Sequence, residues 1–344
     1  MISIECFKGL PLQYESFLIK RYDSFITTCR YIEIYHPDYE INYALIYENN
    51  SLIELLIFEN KGDTTTCMNR LVHIDQNIIS VFTTYIFENF PAIKKIKIIS
   101  SYNSYSLNKS ILLHSNNDYI VKLPSMIDDY LSELGHSTRK TIKNHKSRLL
   151  RDYPRINFVT KYGIEIEESI IDRIIQLNIA RMKHKGIIPE KNSEIINTYK
   201  YAQHYGVVSY IEIDGLIVAG NIAYILNKRM FGYVIAHDEK FSKYNVAKIC
   251  QLYLIQTAIE KGLTAFHFLW GDNDYKKRFL GKPHLLISYL IYKAYSFDYI
   301  VTKYKTILTR TLLVIRQSDL LKPLRNAIKT YRKNNWKKQL EVLQ

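Results

Sequence analysis

A chain of 344 residues is long enough for two domains that each bury a core, and a hydrophobic fraction of 47% excludes a disordered polymer. The net charge of +14 favours polyanions, nucleotide phosphates or an anionic membrane surface as partners. Cys6, Cys29, Cys67 and Cys250 lack the spacing of a zinc site or a disulfide framework. No apolar run reaches the ~18 residues of a membrane span, and the N-terminus lacks the charged-then-apolar order of a signal peptide, so a cytoplasmic protein with reduced thiols is expected.

Along the chain, Tyr43 to Tyr47 and Leu52 to Phe58 flank the turn Glu48-Asn49-Asn50 and read as a β-hairpin. A strand over Cys67 to Ile74 follows, ending at Asp75, then a helix over Gln76 to Asn89 and a strand over Lys94 to Ser100. The segment Pro124 to Tyr153 reads as two helices broken at Gly135, with Ser137 as N-cap of the second. That second helix carries Arg139, Lys140, Lys143, Lys146, Arg148 and Arg151 around an apolar strip of Ile142, Leu149 and Leu150. A further helix covers about Ile170 to Lys185.

The first plan then recurs. Ser209 to Ile213, the turn Asp214-Gly215 and Leu216 to Leu226 form a hairpin with a favoured turn sequence. Arg229 to His237 is a strand ending at Asp238, Asn245 to Lys261 a helix closed by Gly262, and Thr264 to Trp270 the next strand. Hairpin, strand, helix, strand, twice over, implies an internal duplication. The copies differ after the third strand, where the second inserts EKFSKY before its helix. Beyond Tyr295 comes a basic two-helix tail interrupted at Pro323. Its first helix is expected to pack on the core through Ile300, Ile307, Leu312, Val314 and Ile315. The basic tail is also the part that an anionic membrane face would attract.

The helix opening at Asn245 exposes amides without intrahelical partners and carries the positive end of the helix dipole. Lys243 and Lys248 stand there in place of the usual acids, and Ala247 leaves room for a close approach, the pattern of an anion site. The alternative is a solvated loop with two surface lysines. In GDNDYK, Asp272, Tyr275 and Lys276 share one face if helical, at the edge of the sheet where open α/β folds place ligands. The alternative there is a capping aspartate, a surface Asp–Lys pair and a packed tyrosine. His184, His204, His237 and His284 show no metal-ligand spacing, so no metal is expected, and Gly206, Gly215, Gly220 and Gly232 form no phosphate loop of the Walker or Rossmann kind.

These motifs carry a resemblance. FSKYNVAK at Phe241 to Lys248, FHFLWGDNDYK at Phe266 to Lys276, and the basic helix from Arg139 to Arg151 resemble the GNAT acyltransferase superfamily. Within it, they are similar to the tandem-GNAT acetyltransferase branch related to the Fem-type peptidoglycan ligases. The resemblance implies two tandem GNAT-like mixed-sheet α/β units with flanking helices and a basic helical C-terminal tail. Expected boundaries are 1–123 for a degenerate unit, 124–296 for the catalytic unit and 297–344 for the tail. The chain departs from the family pattern in two places: Val246-Ala247 replaces the common Pro-Gly, and His267 stands where an aspartate is usual.

What the resemblance implies for chemistry is transfer of an acyl group, acetyl in the first instance, from acetyl-CoA or another acyl-CoA to an amine. The amine would belong to a small molecule such as an amino sugar, or to a cell-envelope precursor. Acyl transfer needs a base for the ammonium, donors for the oxyanion and an acid for the leaving thiolate. Tyr275 is the expected acid, Asp272 the base or amine anchor, and His267 a weaker alternative. The backbone of Val234, Ile235 and Ala236 would donate to the oxyanion, while Lys243, Asn245, Val246, Ala247 and Lys248 hold the pyrophosphate. Asp272, Lys276 and Arg139 complete the acceptor site. Two rivals stay open: a Fem-type aminoacyl-tRNA-dependent ligase, which the basic helices favour, and a non-catalytic binding protein on a GNAT frame.

Overall fold

The computed structural model describes residues 2–184 and 193–317. Its first half runs β1 (Ile2–Lys8), α1 (Glu15–Tyr22), α2 (Cys29–Tyr35), β2 (Ile41–Glu48), β3 (Ser51–Lys61), β4 (Thr64–Cys67), α3 (Gln76–Asn89), β5 (Lys95–Ser101) and β6 (Ser110–Lys122). Then come α4 (Ile127–Glu133), α5 (His136–Asp152), β7 (Ile156–Tyr162), α6 (Glu168–His184), α7 (Ser193–Tyr205), β8 (Gly206–Ile213), β9 (Leu216–Leu226) and β10 (Arg229–His237). The remainder is α8 (Val246–Glu260), β11 (Ala265–His267), α9 (Asp274–Arg278), β12 (Lys282–Tyr292) and α10 (Phe297–Gln317).

Both hairpins form as expected, and for the expected reason. Their two-residue turns need positive φ, which Asn49 and Asn50 (49° and 63°) and Asp214 and Gly215 (49° and 80°) adopt. All strands join one twelve-stranded sheet in the order β1-β2-β3-β4-β5-β12-β6-β11-β10-β9-β8-β7. Read inward from either edge, the order is the same: an edge strand, a hairpin, then a parallel pair, β4 with β5 and β10 with β11. The sixth strand of each half is exchanged. β6 follows β5 in the chain but pairs with β11, and β12 follows β11 but pairs with β5. The two exchanged strands pair with each other from Lys282–Ile120 to Ile291–Ser110. A division of the chain at residue 123 therefore assigns each half one strand that lies in the sheet of the other.

Helices cover both faces of the second half. α8 packs through Ile249, Cys250, Leu254 and Ile255 on Ala219 and Ala223, while α6 packs through Ile170, Ile171 and Ile174 against Ile222 and Tyr224 of the same strand. Alternation along β9 thus sends one helix to each side.

Several local expectations change. The strand expected over Cys67 to Ile74 lies earlier instead, at Thr64–Cys67, and beyond it there is only a single bridge from Val72 to Ser101. Gly135, not Ser137, is the N-cap of α5, and it makes no side-chain cap. β11 stops at His267 because Leu269 and Gly271 turn to positive φ (55° and 99°). The inserted EKFSKY folds as a 3-10 turn, Glu239–Tyr244. In α10, Ile300 and Ile307 are exposed and it is Tyr299 that packs inward, against Tyr292; the side chains of Leu312, Val314 and Ile315 and the second tail helix lie outside the described residues. Among the described residues no helix is long and apolar enough to cross a membrane, and no cluster of His, Cys, Asp and Glu could hold a metal.

The join between α7 and β8 depends on one glycine. A Cβ on Gly206 would stand 2.5 Å from the Ala202 carbonyl oxygen and 2.6 Å from its Cα, backbone atoms that cannot turn aside. Gly206→Ala should destabilise the fold by about 1–3 kcal/mol, the scale of overpacking, which outweighs the smaller entropic gain of losing a glycine. Urea denaturation checks it, and a variant as stable as wild type would show that the helix shifts freely.

Candidate functional site

β10 and β11 are hydrogen-bonded neighbours only from Arg229–Ala265 to Phe231–His267. Beyond that pair they part. β11 ends and the following residue, Phe268, donates to the Tyr119 carbonyl of β6, while β10 continues to His237 past a bulge between Gly232 and Val234. The bulge increases local twist and turns the outgoing half of β10 away from its former neighbour. The result is a slot through the sheet, open where a parallel ladder would otherwise be closed.

A cavity of about 170 Å³ occupies this slot. Ile235 and His237 line it from β10, Ala247, Lys248 and Gln251 from α8, Tyr275 and Phe279 from α9 and the turn after it, and Arg181 from α6. A smaller cavity of about 70 Å³ shares Lys248, Tyr275 and Phe279 with it and extends to Ser137, Thr138 and Thr141 at the start of α5. Asn245 caps α8 in the left-handed conformation (φ 51°) without a side-chain bond, and the first turn of the helix holds no acid. Its amides therefore stay available to an anion, with Lys248 beside them. These residues fit a nucleotide pyrophosphate.

Tyr275 lies at the junction of the two cavities. Its ring meets Phe268 edge-on at 5.8 Å, and its hydroxyl has no hydrogen-bond partner among the described residues. Burial raises its pKa, with Arg181 opposing, so the phenol stays protonated and able to donate. Ile235 and Ala247 face the cavity, whereas Val234, Ala236 and Val246 bury their side chains and offer only backbone. Lys243 lies outside the cavity lining. It and Arg148 instead flank the ring of Tyr244, at 5.0 and 4.9 Å from its centroid, and Arg148 also donates to the Lys243 carbonyl at 2.7 Å.

Four assignments are corrected. Asp272 precedes α9 rather than sharing its face, because the N-cap is Asn273; its carboxylate is exposed, accepts from Tyr119 and pairs with Lys277 at 3.7 Å. The Tyr119 bond foremost, with Lys277, holds its pKa below the usual carboxylate range, which makes it a weak base outside the cavity. His267 is sealed in the sheet, Nδ1 at 2.7 Å from Asp118 Oδ2, and Asp118 also accepts from the Tyr102 hydroxyl at 2.7 Å. Lys276 is buried, not a surface partner for substrate: its Nζ donates to the carbonyls of Leu269 and Trp270 at 3.0 and 2.6 Å, holding the turn that ends β11. Arg139 donates to the carbonyls of Leu131 and Ser132, closing the C-terminal end of α4.

Three residues in the cavity had no signal in the sequence. His237 was visible only as a strand end. Its Nε2 lies 3.3 Å from Ser242 Oγ, which donates to Glu239 Oε2 at 2.8 Å, so the ring is tied to the turn before α8. Gln251 and Arg181 read as ordinary helix residues, yet each has a buried donor, Nε2 and Nε, with no partner among the described residues.

Residues 136–277 match the acetyltransferase (GNAT) domain family. The fold is similar to the solved structure of FemX, with a TM-score of 0.61 at 10% identity over 82% of this chain and 96% of that one. It is also similar to the C-terminal domain of a putative lysylphosphatidylglycerol synthetase from Agrobacterium fabrum, with a TM-score of 0.53 at 12% identity over 86% and 95% of the two chains. L-PGS from Bacillus licheniformis gives a TM-score of 0.53 at 13% identity over 87% and 96%. At these identities the likeness is one of fold. No curated protein matches the chain by sequence.

The buried Lys276 has a measurable signature. Burial pulls its pKa down from 10.5 to about 8, so between these values the unfolded chain binds the extra proton and the folded chain does not. Wild type should gain stability relative to Lys276→Met as pH rises from about 8 to 10.5, and urea denaturation of both proteins across that range reads the difference. Parallel profiles would mean that the ammonium is solvated.

Proposed function

We propose that the GNAT acetyltransferase domain carried by residues 136–277 transfers an acyl group from a coenzyme A thioester to an amine. The observation that carries this reading is the parting of β10 from β11 beside the uncapped start of α8. It aligns an anion site and a narrow slot, the two features that a thioester on a long phosphorylated arm requires. The α8 amides and Lys248 bind the pyrophosphate, and the backbone of Val234, Ile235 and Ala236, freed of its ladder on one side, lines the arm. When bound, the thioester supplies the electrophilic carbonyl. His237 takes the proton that the amine loses as its nitrogen attacks, and the Tyr275 hydroxyl gives a proton to the sulfur as the C–S bond breaks. His237 replaces Asp272 and His267 as the base because it alone of the three lines the cavity.

One observation favours a second donor. Arg139, Lys140, Lys143, Lys146 and Arg151 are exposed on α5, and Arg148 of the same helix holds the turn before α8. A charged tRNA would need such a face. Salt separates the donors, since several phosphate contacts make affinity fall steeply with ionic strength and one nucleotide does not.

Calorimetry with acetyl-CoA should show saturable binding that changes modestly between low and physiological salt, and Lys248→Glu should weaken it by about 1–3 kcal/mol, the scale of a lost charge-assisted contact. Tight binding of charged tRNA at physiological salt without acetyl-CoA affinity would reverse the ranking of donors.

Tyr275→Phe and His237→Gln should each lower turnover by roughly 10²–10⁴-fold while leaving acetyl-CoA affinity in place. Pre-steady-state rates at saturating donor test this. Full chemical rates in both variants would reduce the two side chains to packing.

A further inference from the structure

The slot passes through the sheet, because α6 and α8 cover its opposite faces. Lys248 and Gln251 enter it from the α8 side and Arg181 from the α6 side. Gln251 is only 3% exposed, and its Nε2 has no partner among the described residues. The buried Nε of Arg181 is in the same state, although its Nη2 donates to Asn178 Oδ1 at 2.8 Å and so fixes the guanidinium in place. A buried donor without an acceptor is costly, and natural structures keep few of them. Two that meet in one cavity, on helices from opposite faces, mark the seat of a ligand group rich in acceptors.

The sign of the charge narrows that group. Among the described residues, no carboxylate lines this cavity or the one continuous with it, whereas Arg181, Lys248 and Arg278 do. An acceptor whose only charges are ammonium groups would meet cations and find no counterion. Lys248 stands with the α8 amides at the donor's phosphates, which leaves Arg181 and Gln251 for the acceptor.

We propose that the acceptor amine carries a carboxylate, and that Arg181 and Gln251 bind it inside the slot. The inference rests on the acyl-transfer reading above. Each wall offers one N–H to a carboxylate oxygen, and the guanidinium adds charge to the contact. Ile235 and Phe279 give the rest of the cavity an apolar wall, which suits the carbon frame of a compact amine better than a hydrated phosphate ester. Arg181 acts in binding and takes no part in the proton transfers assigned to His237 and Tyr275.

The test uses the full chain, acetyl-CoA and matched sets of amines: α-amino acids and amino-sugar acids, their amides, their phosphonate analogues, and polyamines. Mass spectrometry follows the acetylated products. A carboxylate-bearing amine should be acetylated with a kcat/KM about ten-fold or more above that of its amide. Arg181→Met should raise KM for that amine by about ten-fold or more and leave acetyl-CoA affinity in place, with Arg181→Lys recovering part of the loss. Gln251→Met, on a different helix, should shift KM in the same direction and serves if the first variant does not fold. A preference for the amide, the phosphonate or a polyamine overturns the proposal, as does an Arg181→Met enzyme that keeps the wild-type ratio of carboxylate to amide. Acetyl-CoA binding with no carboxylate-bearing amine acetylated also counts against it and leaves the donor reading standing. Absence of acetyl-CoA binding in the wild type removes the donor reading, and this inference falls with it.

Discussion

Everything in this molecule depends on the pairing of β6 with β12. Each strand leaves the half in which the chain has just been folding and completes the other, so neither half can close its sheet alone. Their mutual ladder, from Lys282–Ile120 to Ile291–Ser110, then makes two α/β units one continuous sheet. These pairings span large sequence separations, which costs loop-closure entropy, and a long row of hydrogen bonds and buried side chains must repay it. Tyr119, Ile111, Leu286 and Ile291 belong to that row and are all buried. Across the same seam, Tyr102 beyond β5, Asp118 on β6 and His267 on β11 share hydrogen bonds in the interior. A buried polar network of this kind ties strands into one register rather than adding net stability, since its desolvation cost offsets much of its attraction.

The site follows from that seam. Because β6 takes the outer edge of β11, the residues after His267 stay with β6, Phe268 donating to Tyr119, and do not follow β10. Lys276 reaches back to the Leu269 and Trp270 carbonyls and fixes the turn, which in turn sets α9 and places Tyr275 over the gap. The slot is thus made by withdrawal of one strand, held open by a buried lysine and the bulge in β10. The first half has the same parallel pair, but its helix α3 starts directly after Asp75, whose carboxylate accepts from the Asn77 amide at 2.7 Å. An N-cap aspartate occupies there the position that α8 leaves to an anion. That difference, one carboxylate against none, is what the proposed donor site at α8 rests on, since the α3 start already has its own anion.

How much of this was legible without coordinates depends on the range of the interactions concerned. The hairpins, α3, α5 and α8 were readable because turn residues and apolar periodicity act within a few residues. The acid-free start of α8 was readable for the same reason. The exchange of β6 and β12 was not, since nothing local in either strand distinguishes a partner in its own half from one in the other. Each misassigned polar residue met a partner supplied over distance: Asp272 met Tyr119, His267 met Asp118, and Arg139 met the end of α4. Arg181 and Gln251 carry the opposite lesson. Their spacing is that of ordinary helical residues, and only the meeting of two helices across the slot shows that their donors lack acceptors.

The cationic character of the chain also divides once partners are known. Lys276, Arg148 and Arg139 serve the fold through carbonyls, and Lys243, like Arg148, lies against the ring of Tyr244. The exposed lysines of α5 form a solvated face whose Coulomb contribution is screened within about 10 Å at moderate salt. Lys248 and Arg181 differ in both respects. They line a cavity where screening is weak, they enter it from opposite sides of the sheet, and no carboxylate accompanies them there among the described residues. In such a place two fixed cations exert more selection than the rest of the net positive charge, because their field acts on whatever enters before water can answer it. On the acyl-transfer reading proposed above, the donor's phosphates answer to one of them and the acceptor to the other.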